Sequence, residues 1–454
     1  MRAGAWIWAG LLMSVPLMGQ DFGKVDEYLT AWANTGQYSG SVLIAKDGNV
    51  LLRKGYGMAD RELNVPNSPE MIYRIGSISK TFTAFAILQL EERGKLKVED
   101  PVVKYIPEMP EAWQKITIEH LLTHTSGLPN IMNAAAIHKT DDPLRIEKAL
   151  QELGAEPLVS APGEKFAYSN SGYVVLGRII EKVSGMTCEQ YLDANILRPA
   201  RLQNTDYDHS AVILKNRVHG YVFRGDHMLN SSMGDMGEAS SAGGMHSTPD
   251  DLYQFDQALN GDGLFTRTLL EKAWKPRVKY VAPPPFDTDG MYCYGWMSGE
   301  DYGHPYLNHG GWVEGFITQY WRYPQDKMTV ILTSNVEGPY VINIQKGLVA
   351  ALFGKPFQMP VAHKAVDLPR ATLERYAGMY HTNLGFELAI FMEEGHLMAQ
   401  GTNQPKFQMQ AQSETEFFFA AVDTLVRFNV SPQGEVQSMT IHLNGKDSTA
   451  PKVK

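Results

Sequence analysis

After a first charge at Arg2, the chain runs without charge through the apolar stretch from Ala3 to Met18. That run is short for a membrane-spanning helix and has the charged start and apolar centre of a secretory signal, so residues 1–20 are expected to be removed on export. An uncleaved anchor is the alternative. No cysteine follows the run, so no lipid attachment is expected there. Further on, residues 41–54 form two runs rich in Val, Leu and Ile around Asp47-Gly48, the signature of a β-hairpin. From Ser77 to Leu90 the chain is apolar on nearly all faces, and Gly94 follows, which predicts a buried central helix with a glycine stop. Val174, Val175, Leu176, Ile179, Ile180 and Val183 recur at helical spacing over 171–183, with Gly185 beyond. Strand patterns return at 316–323 and 328–334, joined by a turn at 324–327. Strands at both ends with helices between predict an α+β fold: an antiparallel sheet flanked by helices, with a helical insertion.

The pattern changes after residue 352. Residues 353–370 hold Pro356, Pro360 and Pro369 with little apolar periodicity and read as a linker. Short alternating runs then recur at 386–391, 396–400, 417–420, 424–430 and 436–443, with turn residues at Glu394-Gly395, 432–434 and Asn444-Gly445. The tail is expected to be a small all-β domain, sandwich or barrel. The expected division is therefore a signal at 1–20, a main domain at 21–352, a linker at 353–370 and a β domain at 371–454.

Composition narrows the class without changing this outline. With 44% hydrophobic and 20% charged residues, the 454-residue chain buries a sizeable core, which excludes a disordered, collagen-like or coiled-coil protein. A net charge of −9 gives no general attraction to phosphate backbones or anionic lipid, so neither a nucleic-acid nor a membrane partner is expected beyond the signal itself. Cys188 and Cys293 are too few for a zinc framework and are expected to be buried thiols or at most one bridge.

The chain lacks a Gly-x-Ser-x-Gly elbow, a phosphate loop, a dinucleotide fingerprint and paired CxxC. His120 and His124 stand four apart, but Leu121 replaces the glutamate a zinc peptidase needs, and the segment reads as a helix end running into a turn. Ser77-Ile78-Ser79-Lys80 places a lysine one helical turn after a serine, so both face the same way. Desolvation loosens the proton of a buried ammonium, which lets the amine take up a hydroxyl proton. Tyr168-Ser169-Asn170 follows a turn and precedes the second helix, offering a phenol for proton transfer and an amide for positioning. A second Tyr-x-Asn, Tyr306 to Asn308, leads into His309-Gly310-Gly311-Trp312. Those glycines, ahead of a β-hairpin, would let a substrate backbone lie close. Each motif alone arises by chance in a chain of this length.

In this order, however, the three motifs resemble those of the serine β-lactamase and penicillin-binding-protein superfamily. Within it they are most similar to the class C-like branch of esterases, D-aminopeptidases and DD-peptidases. The resemblance covers about residues 22–352 and extends to the segments 121–128, 162–173 and 241–249. It implies an acyl-enzyme on Ser77, proton transfer shared by Lys80 and Tyr168, and substrate positioning by Asn170, His309, Gly310, Gly311 and Trp312. The backbone N–H groups of Ser77 and Trp312 would form the oxyanion hole, and neither a metal nor another cofactor is implied. One departure stands out: members that recognise penicillin usually carry Lys-Thr-Gly where this chain has His309-Gly310-Gly311. A histidine that is mostly neutral at pH 7 holds a carboxylate less well than a lysine, so neutral esters or amides are the expected substrates. The tail resembles the lipocalin-like domain appended to some of these hydrolases. The expected function is an exported serine hydrolase acting on a small-molecule or peptide ester or amide. A β-lactamase, a D-Ala-D-Ala carboxypeptidase or D-aminopeptidase, and a non-catalytic penicillin receptor remain alternatives.

Overall fold

In the computed structural model the Asp47-Gly48 signal becomes a hairpin, Gly40–Lys46 (β1) against Asn49–Tyr56 (β2), with the two turn residues at φ +52° and +79°. The structure describes residues 22–138, 144–224, 227–238, 240–260, 263–280, 290–338, 340–360, 363–383, 387–402, 406–419, 424–443 and 446–453. The expected signal at 1–20, and the Asn444-Gly445 turn, lie outside the described residues.

The hairpin joins six later strands, Val278–Tyr280 (β3), Gly290–Tyr292 (β4), Met297–Asp301 (β5), His304–Val313 (β6), Phe316–Tyr323 (β7) and Met328–Ser334 (β8). The eight form one antiparallel sheet in the order β3-β4-β5-β6-β7-β8-β1-β2. The first strand thus pairs with the last, Gly40 opposite Ser334 and Lys46 opposite Met328. Both faces of its centre are covered. Val42, Ile44, Trp321, Tyr323, Val330 and Leu332 point to one side, into a core shared with the helices Phe22–Asn34 (α1) and Tyr340–Leu352 (α5). Leu43, Ala45, Tyr320 and Ile331 alternate to the other side, where the helical insertion lies. The insertion holds Ser79–Glu92 (α2), Asn170–Ser184 (α3) and Pro249–Ala258 (α4). Helix α2 is buried all round because the sheet and the other helices enclose it, which explains why its sequence lacks a polar face.

Local details differ from the sequence expectation. Helix α2 begins at Ser79, and the preceding residues Gly76–Ile78 form a 3-10 turn. His309-Gly310-Gly311 lies inside β6 and not ahead of it. Both cysteines are free and buried.

The tail is a barrel. Eight strands, Gly378–His381 (β9), Glu387–Glu393 (β10), His396–Gly401 (β11), Lys406–Ala411 (β12), Glu416–Phe419 (β13), Thr424–Val430 (β14), Val436–Leu443 (β15) and Lys446–Val453 (β16), close in chain order. Tyr376, Tyr380, Phe417, Phe428 and Met439 fill its interior. Strands β9, β12 and β16 are additional to the five runs read from the sequence. Each is short or carries polar residues on its exposed face, as in Lys406–Ala411 and Lys446–Val453, which hides the alternation.

Candidate active site

Ser77 sits in the 3-10 turn at the foot of α2, and its placement depends on two glycines. Gly76 has φ +52°, and a Cβ there would lie 2.7 Å from the Trp312 nitrogen. Opposite it, a Cβ on Gly311 would lie 1.8 Å from the Ile75 carbonyl oxygen and 3.1 Å from the Ser77 nitrogen. The turn and strand β6 therefore touch backbone to backbone, which brings the amides of Ser77 and Trp312 to one place. The sequence reading expected a substrate backbone to use the space beside Gly310 and Gly311; the protein's own turn fills it. On the other side of Gly310, a Cβ would meet the Gln319 side chain at 2.8 Å.

Lys80, one helical turn on, is fully buried, and its Nζ meets Ser77 Oγ at 2.9 Å, Asn170 Oδ1 at 2.9 Å and the Ala242 carbonyl at 2.7 Å. Burial holds its ammonium well below the usual lysine range. A neutral amine has two protons and one lone pair. With the protons on Asn170 and Ala242, which offer acceptors, the lone pair faces the Ser77 hydroxyl. Ala242 belongs to the short helix Ser240–Gly243, which Ser241 ties to the Tyr173 carbonyl at 2.8 Å and Thr83 ties to α2 through the Ser241 carbonyl at 2.7 Å. A Cβ on Gly177 would lie 2.3 Å from Ser241 Oγ, so a glycine in α3 is needed for this approach.

Tyr168 reaches the same point from the loop before α3. Its ring lies 4.9 Å from Lys80 Nζ and packs against His124 at 4.1 Å between ring centres, tilted by 32°. Although the side chain is partly exposed, the protein around its hydroxyl desolvates the phenol and raises its pKa, with the Ser77 hydroxyl opposing through a hydrogen bond, so the phenol keeps its proton at neutral pH. Trp312 is 59% exposed and Tyr168 40% exposed, so both present aromatic surface to solvent.

The structure thus gathers Ser77, Lys80, Tyr168, Asn170 and the Gly311-Trp312 backbone around one centre. His309 differs from its expected role beside a substrate. Its imidazole is 1% exposed, with Nε2 on the Tyr292 hydroxyl at 3.2 Å and Nδ1 on the Gly310 carbonyl at 2.7 Å. Burial, then the nearby Lys80 charge, push its pKa down to about 3. The other Tyr-x-Asn is structural, since Tyr306 packs with Trp321 and Tyr323 in the core behind the sheet. His120 serves helix capping, its Nδ1 accepting the Thr117 N–H at 3.3 Å, while His124 enters the site. Sequence reasoning missed Gly76, His124 and Tyr292 as site residues. Of these, only His124 carried a signal, by lying in the segment 121–128 that supports the family resemblance.

This fold and arrangement are those of the β-lactamase family. Residues 26–355 match the profile described as Beta-lactamase, and the chain belongs to that family. Residues 362–451 match a domain of unknown function, DUF3471. Among curated relatives, penicillin-binding protein 4* of Bacillus subtilis (strain 168) is 30% identical over 442 residues, covering 92% of this chain and 96% of that one. The protein flp of Staphylococcus aureus (strain MW2) is 27% identical over 347 residues, 75% of this chain and 66% of that one. Among solved structures, the octameric penicillin-binding protein homologue from Pyrococcus abyssi superposes with a TM-score of 0.67 at 24% identity, over 95% of this chain and all of that one. The D-amino acid amidase from Ochrobactrum anthropi SV3 gives 0.65 at 20% identity, over 73% of this chain and 99% of that one. The protein is a serine hydrolase of the β-lactamase family. Among the described residues no helix is long and apolar enough to cross a membrane.

Proposed function

We propose that the protein is an exported hydrolase that cleaves an ester or amide through an acyl-enzyme on Ser77. The observation that carries this is the 2.9 Å contact of a fully buried lysine amine with Ser77 Oγ, its other two contacts being acceptors. In acylation, Ser77 Oγ attacks the substrate carbonyl carbon while its proton passes to Lys80 Nζ. The carbonyl π electrons move onto oxygen, which the N–H groups of Ser77 and Trp312 stabilise. When the intermediate collapses, the bond to the leaving atom breaks and that atom takes a proton from the Tyr168 phenol, which Lys80 restores. Water then repeats the sequence on the acyl-enzyme, with Lys80 and Tyr168 removing its proton. Asn170 holds Lys80 in line, and a substrate group lies against Trp312.

The buried, neutral His309 supports neutral esters and amides over anionic substrates, because it supplies no cation where a carboxylate would sit. A second reading, acylation by penicillin, is favoured by the likeness to a penicillin-binding protein along nearly its whole length. The class C-like branch, the domain limits at 352 and 371, and a lipocalin-like tail belong to the same proposal; the closed eight-strand order supports the last. The test is labelling by a fluorophosphonate and by a fluorescent penicillin, followed by peptide mapping, in the parent and in Ser77→Ala. Label on Ser77, with ester turnover lost in the variant, is expected. Turnover within about tenfold of the parent in Ser77→Ala overturns the mechanism, since an essential nucleophile contributes far more.

A further inference from the structure

Tyr292, at the end of β4, is fully buried, and its hydroxyl stands between two imidazoles, 3.1 Å from His124 Nε2 and 3.2 Å from His309 Nε2. At its other nitrogen each histidine meets a backbone group with only one possible role. The Ser169 N–H, a donor, points at His124 Nδ1 at 3.2 Å, and the Gly310 carbonyl, an acceptor, lies 2.7 Å from His309 Nδ1. These ends assign the proton of each imidazole, and Tyr173, which also lies in hydrogen-bond reach of the Tyr292 hydroxyl, gives its own O–H to the Leu122 carbonyl at 2.9 Å. His124 keeps Nδ1 bare and donates from Nε2 to the Tyr292 oxygen. His309 carries its proton on Nδ1, so its Nε2 accepts the Tyr292 O–H. One phenol therefore satisfies two neutral imidazoles in opposite tautomers.

We infer that Tyr292 is a positioning residue: its hydroxyl joins His124 and His309 into a neutral strut that holds the Tyr168 loop and the Gly311-Trp312 strand on either side of Ser77. At one end, His124 grips residues 167–169 three ways. Its carbonyl accepts the Ala167 N–H at 2.8 Å, its Nδ1 accepts the Ser169 N–H, and its ring packs against the Tyr168 ring. Its backbone is at φ +56°, a strained conformation for a residue with a Cβ, which persists where the surroundings over-determine it. At the other end, His309 is tied to Gly310, next to the glycine pressed against Ile75. The titratable groups facing the strut are Lys80 from α2, Tyr168 from the loop, Tyr173 from α3 and Cys293 beside Tyr292. Burial and then the Lys80 charge hold His124, like His309, well below the usual histidine range. Proton transfer is thereby left to Lys80 and Tyr168.

This inference rests on the proposed roles of Ser77 and Lys80, but its first test does not. Two-bond 1H–15N spectra of the full chain, assigned through contacts with the Tyr292 ring, read each tautomer directly. Expected are an Nε2–H form for His124 and an Nδ1–H form for His309, neither titrating between about pH 5 and pH 8. Titration of either in that range, or a proton on His309 Nε2, overturns the strut whether or not Ser77 reacts. The second test is Tyr292→Phe, which keeps the ring and removes the hydroxyl. Its kcat is expected to fall about 10-fold to 100-fold, since a small misplacement of reacting groups has effects of this order. KM should hold within about twofold, and His309, freed of its donor, should add a second ionisation to the acid limb of kcat/KM. Parent kcat with a single ionisation overturns the positioning role. If this variant does not fold, the spectra of the parent decide.

Discussion

Gly311 and Ile75 meet so closely that a methyl group on the glycine would overlap the Ile75 carbonyl oxygen. Both neighbours of this contact are proposed to matter for chemistry, because Ser77 follows the isoleucine by two residues and Trp312 follows the glycine. Gly311→Ala is therefore expected to push the two amides apart and lower kcat/KM for a p-nitrophenyl ester by about 10²–10³-fold, the loss seen when an oxyanion donor is removed. Circular dichroism should show a folded chain, because Gly311 lies past the end of the β5–β6 pairing, which stops at Asn308, and the β6–β7 ladder stays in place. An alanine variant with parent activity would remove the oxyanion role from this contact.

Lys80 and Tyr168 share one serine, and their losses should not multiply. Lys80→Ala and Tyr168→Phe are each expected to slow acylation by about 10²–10⁴-fold, the range for general acid–base groups. The double variant should be little slower than the poorer single, as for residues that act as one unit. Single-turnover acylation measures all three. Independent, multiplying losses would separate the two roles.

The helices, the central sheet and the tail's β character were legible because burial on one or both faces writes itself into apolar spacing. Ser77, Lys80, Tyr168 and Asn170 were legible because their chemistry requires fixed residue types at short spacing. Tyr292 was not. Its importance comes from pairing across the sheet and from two histidines at positions 124 and 309, and no local pattern encodes such a meeting. The role of Gly76 was hidden for a related reason: a positive φ and a facing strand exist only after folding.

The buried imidazole makes stability depend on pH. His309 has its pKa pushed down to about 3, against about 6.5 in an unfolded chain. Between these values the unfolded state binds more protons, so stability rises with pH across this window and is lost as pH falls through it. The urea midpoint should accordingly fall as pH is lowered from about 6.5 towards 4. His309→Gln should flatten that slope whatever its effect at neutral pH. An unchanged slope would mean that His309 takes up no proton on unfolding. In activity the direction is set by Lys80, which must be neutral to accept the Ser77 proton. The kcat/KM profile is expected to rise with pH and to level off below the ordinary lysine value, because burial lowers this pKa.

Away from the site, Asp256 of α4 forms a buried ion pair with Arg322 of β7 and also accepts Tyr320 Oη at 3.1 Å and Thr329 Oγ1 at 2.8 Å. Both charged side chains are at most 3% exposed. Removing one partner strands the other charge, so Asp256→Ala is expected to destabilise the protein by about 3–5 kcal/mol in urea unfolding. Its effect on kcat at a temperature where the variant is folded should be small.

The pairing of Gly40 with Ser334 also sets an order of events during synthesis. The first hairpin leaves the ribosome long before the strand it must lie beside. At about 5–20 residues per second, the interval is on the order of 15–60 s. Throughout it, the edge of β1 that will meet β8 has no native partner, and α2 has no completed sheet to pack against. No nascent fragment ending before β8 can complete the sheet. A chain that crosses a membrane before its last central strand is made would therefore do so without its native sheet, which spares translocation the work of unfolding it.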